Sequence, residues 1–114
     1  MSLFWFRSLN RSVIFQMLTF GSHGARSQIQ VTSMCFNQLG DLLLVGYGDG
    51  NLTLWDVQRA TAAKVITGEH NAPVVHTLFL GQFKAITGDS RGLVFLHTIS
   101  VVPLLNLFSV KSKV

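Results

Sequence analysis

Short apolar runs separated by polar turn clusters cover the chain from residue 30 onward. The run at 42–46 is almost continuously apolar, which is typical of a strand buried on both faces. The run at 52–57 alternates instead, with leucines on one face and threonine and tryptophan on the other. Four runs within residues 31–67 leave no room for helices between them, so the pattern predicts an antiparallel meander. The predicted strands are 31–36, 42–46, 52–57 and 62–67.

A second pass of the same pattern follows, with predicted strands at 74–80, 83–87, 93–98 and 104–110. When Gly92 is aligned on Gly50, His97 falls on Trp55, which gives a repeat of 42 residues. Four strands per unit of roughly 40–45 residues is the signature of β-propeller blades. We therefore expect an all-β fold, a partial propeller of about two four-stranded antiparallel blades. The predicted division is an unassigned N-terminal segment at 1–28, a first blade at 29–68 and a second, degenerate blade at 69–114.

The segment LLLVGYGDGNLTLWD resembles the WD repeat, because an Asp-Gly turn lies six residues before the Trp-Asp dipeptide. The resemblance implies a buried hydrogen-bonded network of a His, a Ser or Thr, the turn Asp and the strand Trp. The residues that match the motif here are Asp49, Trp55 and Asp56. His23 is a candidate for the histidine, but Val45 stands where the Ser or Thr belongs. We therefore expect an incomplete network in the first blade.

The second copy keeps other parts of the same motif. His70 and Thr87 match the histidine and threonine positions, whereas Arg91 replaces the turn Asp and His97 replaces the Trp. The sequence therefore predicts a structural role for His70 and Thr87 in a degenerate blade, and it does not predict a complete polar network there.

Residues 26–110 also resemble the N-terminal propeller of the vacuolar protein sorting-associated protein 8 family, in a plant-like form. The segments that carry this resemblance are VTSMCFNQLGDLLLVGYGDGNLTLWDVQRATAAKVITGEHNAPVVH, FKAITGDSRGLVFLH and SVVPLLNLFSV. Family members are subunits of CORVET, an endosomal tethering complex. The resemblance implies a non-catalytic protein-interaction scaffold in endosome to vacuole or lysosome trafficking. It implies other tether subunits and a Rab-type GTPase as partners, and a cytoplasmic location peripheral to endosomal membranes through the complex.

Composition narrows the classes of protein that remain. Hydrophobic residues make up 48% and charged residues 12% of the 114 residues, the opposite of a disordered chain. The net charge is +4, but the nine Lys and Arg residues are scattered, which disfavours a nucleic-acid-binding face. A single cysteine excludes an intramolecular disulfide. The longest apolar stretches fall short of the ~18 residues that a membrane-spanning helix needs.

The histidines, the cysteine and the acidic residues are the candidates for chemistry in this sequence. His70, His76 and His97 lack the short paired Cys/His spacing of a zinc site, so no metal or other cofactor is expected. Cys35 lies in an apolar strand, where an inert buried thiol is the ordinary outcome. The five acidic residues fall at turns or strand ends. We expect no catalytic residues; an enzyme that uses His76 or Cys35 is the alternative.

Two further alternatives concern the whole chain. The first forty residues contain no Asp or Glu, and Arg7 and Arg11 lie between apolar patches, as in an organellar targeting segment. The first alternative is therefore a small organelle-targeted protein. The second is a truncated WD-repeat product without independent function. Two blades alone expose apolar faces and strand edges, so we expect an isolated chain to be unstable, oligomeric or aggregated. The expected exposed set is Leu42, Leu43, Leu44, Leu52, Leu54, Val94 and Leu96.

Overall fold

Two four-stranded antiparallel sheets make up the fold. The computed structural model describes residues 30–102, 105 and 107–114, and these residues contain eight strands. The first sheet, here the first blade, consists of β1 (Val31–Phe36), β2 (Leu42–Tyr47), β3 (Leu52–Asp56) and β4 (Thr61–Ile66). The second blade consists of β5 (Val74–Phe79), β6 (Lys84–Asp89), β7 (Val94–Val102) and β8 (Leu107–Lys113). The all-β prediction and the two four-stranded antiparallel sheets are confirmed, and the unassigned segment 1–28 lies outside the described residues.

The two blades share their strand order and an irregularity in their first strand. Strands follow chain order in both sheets, as in a meander. Both first strands also carry a register shift near their start, between Val31 and Ser33 in β1 and between Val74 and His76 in β5. A bulge places an extra residue in one strand and increases its local twist, so its recurrence means that the two blades twist in the same way.

The main hydrophobic core lies between the two blades. The first blade contributes Leu42, Leu44, Leu52, Leu54 and Ile66, and the second contributes Val74, Phe79, Ala85 and Ile99. The second blade covers one face of the first blade. The expectation that the leucines of the first blade are exposed is therefore wrong. Leu42, Leu43, Leu44, Leu52 and Leu54 are all buried, whereas Val94 and Leu96 of the second blade are exposed, as expected.

A second apolar cluster occupies the opposite face of the first blade. Leu43 pairs across the strands with Trp55, and Val45 and Tyr47 lie on the same face of β2. All four side chains are buried. Strand β2 is therefore buried on both faces, as its continuous apolar run predicted.

Polar contacts join the blades along their first strands. The Thr32 hydroxyl, at the bulge of β1, donates to the carbonyl of Val74 at 2.6 Å. The hydroxyls of Ser33 and Thr77 are 2.8 Å apart. The Val74 side chain fits over Gly46 so closely that a Cβ there would lie 2.5 Å from Val74 Cγ1. These contacts fix the separation of the two blades, because a real Cβ does not tolerate such an approach.

No helix within the described part of the chain is long and apolar enough to cross a membrane.

Candidate functional site

A buried chain of hydrogen bonds runs across the second blade on the side that faces the first. His70 lies in the segment between β4 and β5, and its Nδ1 is 2.9 Å from Asp89 Oδ2. Its Nε2 is 2.7 Å from the Thr87 hydroxyl, which is also 2.7 Å from His97 Nε2. His97 Nδ1 is 2.8 Å from the Ser112 hydroxyl. We call these five residues the polar network; it links β6, β7, β8 and the inter-blade segment.

The ionised Asp89 carboxylate only accepts, so His70 donates to it from Nδ1. With a neutral His70 ring, Nε2 accepts from the Thr87 hydroxyl. The Thr87 oxygen then accepts from His97 Nε2, which leaves His97 Nδ1 to accept from Ser112. Every donor has an acceptor when both imidazoles are neutral, so one proton arrangement satisfies the whole network.

The environment of the network shifts two pKa values. The hydrogen bond from His70 lowers the pKa of Asp89, and the backbone N–H groups of Arg91 and Leu93 lower it further while burial opposes them. Burial lowers the pKa of His97, because a charged imidazole loses its hydration there. Glu69 opposes this shift and the neighbouring His70 adds to it. The network therefore favours a charged Asp89 and a neutral His97.

The loop that carries His70 is positioned by the first blade. A Cβ at Gly50, in the β2–β3 turn, would collide with the backbone carbonyl of His70. Gly50 also has a φ of 93°, a conformation that residues with a Cβ rarely adopt. The Phe95 ring packs edge-on against His70, with the ring centroids 5.1 Å apart, and is stacked near His97 at 6.2 Å. The network is thus held between a turn of one blade and an aromatic ring of the other.

The equivalent positions of the first blade have a different chemistry. Counting back 42 residues replaces Thr87 by Val45, Asp89 by Tyr47 and His97 by Trp55. These side chains belong to the buried apolar cluster. Burial raises the pKa of the Tyr47 phenol, and hydrogen bonding to Thr53 and Trp55 opposes that shift. The first blade therefore has a mainly apolar cluster with a hydrogen-bonded phenol where the second blade has a polar network. His23 lies outside the described residues.

The structure places the five predicted motif residues in four separate locations. His70 and Thr87 lie together in the polar network. Trp55 lies in the apolar cluster of the first blade. Asp49 accepts the Asn51 backbone N–H at 3.1 Å and stabilises the β2–β3 turn. Asp56 does the same for the β3–β4 turn, where it accepts the Arg59 N–H at 3.2 Å and pairs with the Arg59 side chain at 3.5 Å.

The acidic member of the network differs from the prediction of the 42-residue alignment. The alignment places Arg91 at the position of the turn Asp, whereas in the structure Asp89 has that role and uses both carboxylate oxygens. Oδ1 accepts the N–H groups of Arg91 and Leu93 within the turn, and Oδ2 accepts from His70. The second blade therefore has a complete network. The signal in the sequence is an Asp two residues after the motif Thr, in the segment TGDSRG.

The other candidate residues stand apart from one another. Cys35 is half-buried, and its thiol lies 3.3 Å from the carbonyl of Phe36. His76 is exposed on β5. Within residues 30–102, 105 and 107–114, no group of three or more His, Cys, Asp or Glu side chains has the arrangement of a metal site.

Comparison with known proteins relates this geometry to a family. The family model described as the Vps8 beta-propeller matches residues 15–113. The chain belongs to the Vps8 β-propeller family. A segment of 41 residues, 36% of the chain, is 44% identical to the guanine nucleotide-binding protein G(I)/G(S)/G(T) subunit beta-1 of Homarus americanus. The chain spans 12% of the length of that relative. The Vps8 match covers both blades, so the repeat and the WD-like motif are those of a propeller.

Proposed function

We propose that this Vps8-type chain is a non-catalytic scaffold that binds other proteins during the tethering of endosomal vesicles. Its partners are then other tether subunits and a Rab-type GTPase, and it reaches the cytoplasmic side of endosomal membranes through them. The family match supports vesicle tethering, and propeller domains generally act by binding proteins. The two blades, each fixed by its own buried cluster, supply the rigid surface that such binding requires.

The observation that carries this proposal is the outer face of the second blade. Leu78, Val94 and Leu96 are 54%, 49% and 38% exposed on the side away from the first blade. In the first blade, the residues equivalent to Val94 and Leu96 are Leu52 and Leu54, both fully buried. An exposed apolar face of this kind is typical of a surface that packs against a further polypeptide surface, and we propose that a partner protein supplies it.

Proximity labelling in cells tests the proposal. The full chain, fused to a biotin ligase, should label tether subunits and a Rab-type GTPase above the level of the ligase alone. Replacing Val94 and Leu96 by lysine should abolish the labelling, because charge on the apolar face prevents its burial. Leu39→Lys is the matched control, since Leu39 is 73% exposed on the β1–β2 turn and belongs to neither hydrophobic cluster. Labelling that is the same for the chain and the ligase alone would refute the scaffold function.

A further inference from the structure

A cleft lies beside the part of the second blade that extends beyond the repeated strands. In the first blade β3 ends at Asp56, whereas the equivalent strand β7 continues to Val102. The last four residues of β7 stay paired with β8, so the pair extends as a two-stranded ribbon past the end of the repeated unit. This ribbon forms one wall of a cavity of about 460 Å³ between the blades. We call it the inter-blade cleft.

The ribbon side of the inter-blade cleft is apolar. Ile99, Val101 and Phe108 line it, and Leu42 and Phe83 complete the apolar surface. Phe83 is 45% exposed, although its aromatic ring is large enough to dominate a contact surface. Cavities of roughly 300–1,000 Å³ with apolar walls and a few polar groups are typical of binding sites. The cleft has the size and the lining to take one large side chain.

The opposite lip of the cleft is acidic. Asp41 and Asp56 line it, beside Arg59. The Asp41 carbonyl accepts the Val57 N–H at 3.0 Å, so the two carboxylates project from neighbouring strand ends. The chain has only five acidic residues and a net charge of +4, and two of the five meet here. With Arg59 beside the two carboxylates, the lip carries one net negative charge on a cationic protein, so it attracts positive charge and repels phosphate groups.

Both carboxylates are held in place before any ligand arrives. Asp41 Oδ1 accepts hydrogen bonds from Asn37 Nδ2 at 2.6 Å and from Gln82 Nε2 at 2.8 Å. Asp56 is fixed by the β3–β4 turn, but its side-chain partner Arg59 is 57% exposed and sits at 3.5 Å. Asp56 is only 15% exposed, but Arg59 reaches it from the solvent side at this long distance, so the pair is weak and an incoming cation displaces Arg59 at little cost. A preorganised acceptor loses less entropy on binding than a mobile one.

The geometry points to a peptide-binding role for the inter-blade cleft. It takes a short extended segment of a partner protein that places an aromatic side chain against Val101 and Phe108 and a neighbouring Lys or Arg on Asp41 and Asp56. This assignment rests on the proposed scaffold function and specifies one surface through which it acts. The positive charge of the peptide strengthens binding, because the acidic lip attracts it and repels an acidic segment.

A peptide titration tests the assignment with the full, isotope-labelled chain. The probe is acetyl-Ala-Trp-Arg-Ala-amide, added up to millimolar concentration while backbone NMR shifts are followed. We expect saturable shifts confined to residues of the cleft. Replacing the probe's Arg by Glu, or its Trp by Ala, should weaken binding by about threefold or more, the scale of one exposed ion pair or a partly buried ring. These comparisons leave the protein unchanged, so they do not depend on the folding of a variant.

Protein variants provide the second arm of the test. The double variant Asp41→Asn and Asp56→Asn should lose about threefold or more in affinity for the probe, and the loss should shrink in high salt. Asp49→Asn is the matched control, because it removes one carboxylate from the distant β2–β3 turn. Shifts outside the cleft, or binding that is indifferent to the sign of the peptide charge, would overturn the assignment. Shifts that grow with protein concentration without peptide would identify a second copy as the occupant and also overturn it.

The two proposals fail in different ways. If proximity labelling finds tether subunits and the probe does not bind, the peptide assignment is wrong and the scaffold function stands. If the probe binds in the cleft and no tether subunit is labelled, the scaffold function in tethering is wrong, and the partner carrying such a segment belongs to another process.

Discussion

Nδ1 of His97 lies 3.6 Å from Oε1 of Glu69, in a site where the imidazole is almost fully buried. In the neutral state His97 Nδ1 accepts from Ser112, and Glu69 Oε1 has no hydrogen-bond donor among the described residues. A proton added to His97 thus enters a network that is already satisfied, next to one carboxylate. Burial outweighs that carboxylate and keeps the pKa of His97 below its ordinary value.

Acidification is therefore expected to destabilise the fold. Because the pKa of His97 is lowered from 6.5 in the folded chain, the unfolded chain binds more protons below about pH 6.5. Stability is at its full value above that pH and falls as the pH drops from 6.5 towards the folded-state pKa. Asp89 adds a second loss below pH 3.8, since its pKa is lowered as well. Urea unfolding at a series of pH values between 8 and 5, chosen around the ordinary histidine pKa of about 6.5, measures the first effect.

His97→Gln separates this effect from general acid sensitivity. Glutamine keeps a hydrogen-bonding side chain but does not titrate, so the slope of stability against pH should flatten between pH 6.5 and 5. His76→Gln is the control, because His76 is exposed and lies outside the polar network. An unchanged slope in His97→Gln would show that another group causes the pH dependence.

Thr87→Val should destabilise the second blade by about 1–3 kcal/mol, the usual cost of leaving buried polar groups without partners. Valine has the shape of threonine, and Val45 fills the equivalent position in the first blade, so packing is preserved. The loss comes from the two imidazole nitrogens that the Thr87 hydroxyl bridges. Chemical denaturation measures it. Thr87→Ser keeps the hydroxyl and should cost less; equal losses in the two variants would assign the effect to packing.

Most of the fold could be predicted from the sequence because each strand is a short apolar run that ends at a turn cluster. The buried strand at 42–46 and the 42-residue repeat can be read directly from the sequence, and the structure confirms the two four-stranded blades and the positions of the first six strands. The last two strands differ from the prediction, because β7 continues to Val102 instead of ending at 98 and β8 is Leu107–Lys113 instead of 104–110. The exposure of the apolar side chains could not be predicted in the same way. The pattern does not show that the second blade packs on the leucine face of the first, since that contact joins residues distant in sequence.

The polar network was only partly predictable. His70 and Thr87 follow the motif, but Asp89 lies two residues before the aligned position and reaches His70 only because the turn folds back. Ser112 comes from β8, which the longer β7–β8 pair shifts relative to the repeat. Neither position can be read from the first blade, where Tyr47 is equivalent to Asp89 and Ala62 lies opposite Trp55 as Ser112 lies opposite His97.

Gly50→Ala should be more destabilising than Gly68→Ala, although the two glycines have similar φ values. Gly50 and Gly68 have φ values of 93° and 83°, so alanine at either position costs about 1–2 kcal/mol for the left-handed conformation. A Cβ at Gly68 has no neighbour within 4 Å, whereas a Cβ at Gly50 meets the His70 carbonyl. Thermal unfolding of the two variants measures the difference. Equal losses would mean that the His70 loop moves away freely and is not positioned by the first blade.

Leu54→Ala and Leu96→Ala compare the same position in the two blades. Leu54 is fully buried between the blades, and its removal should cost about 2–5 kcal/mol because it leaves a cavity in the core. Leu96 is 38% exposed on the open face of the second blade, so its truncation leaves no closed cavity and should cost less than about 1 kcal/mol. Urea unfolding of each variant in dilute solution measures both values. A loss at Leu96 as large as that at Leu54 would show that the outer face is covered in the isolated chain, and would remove the observation on which the proposed scaffold function depends.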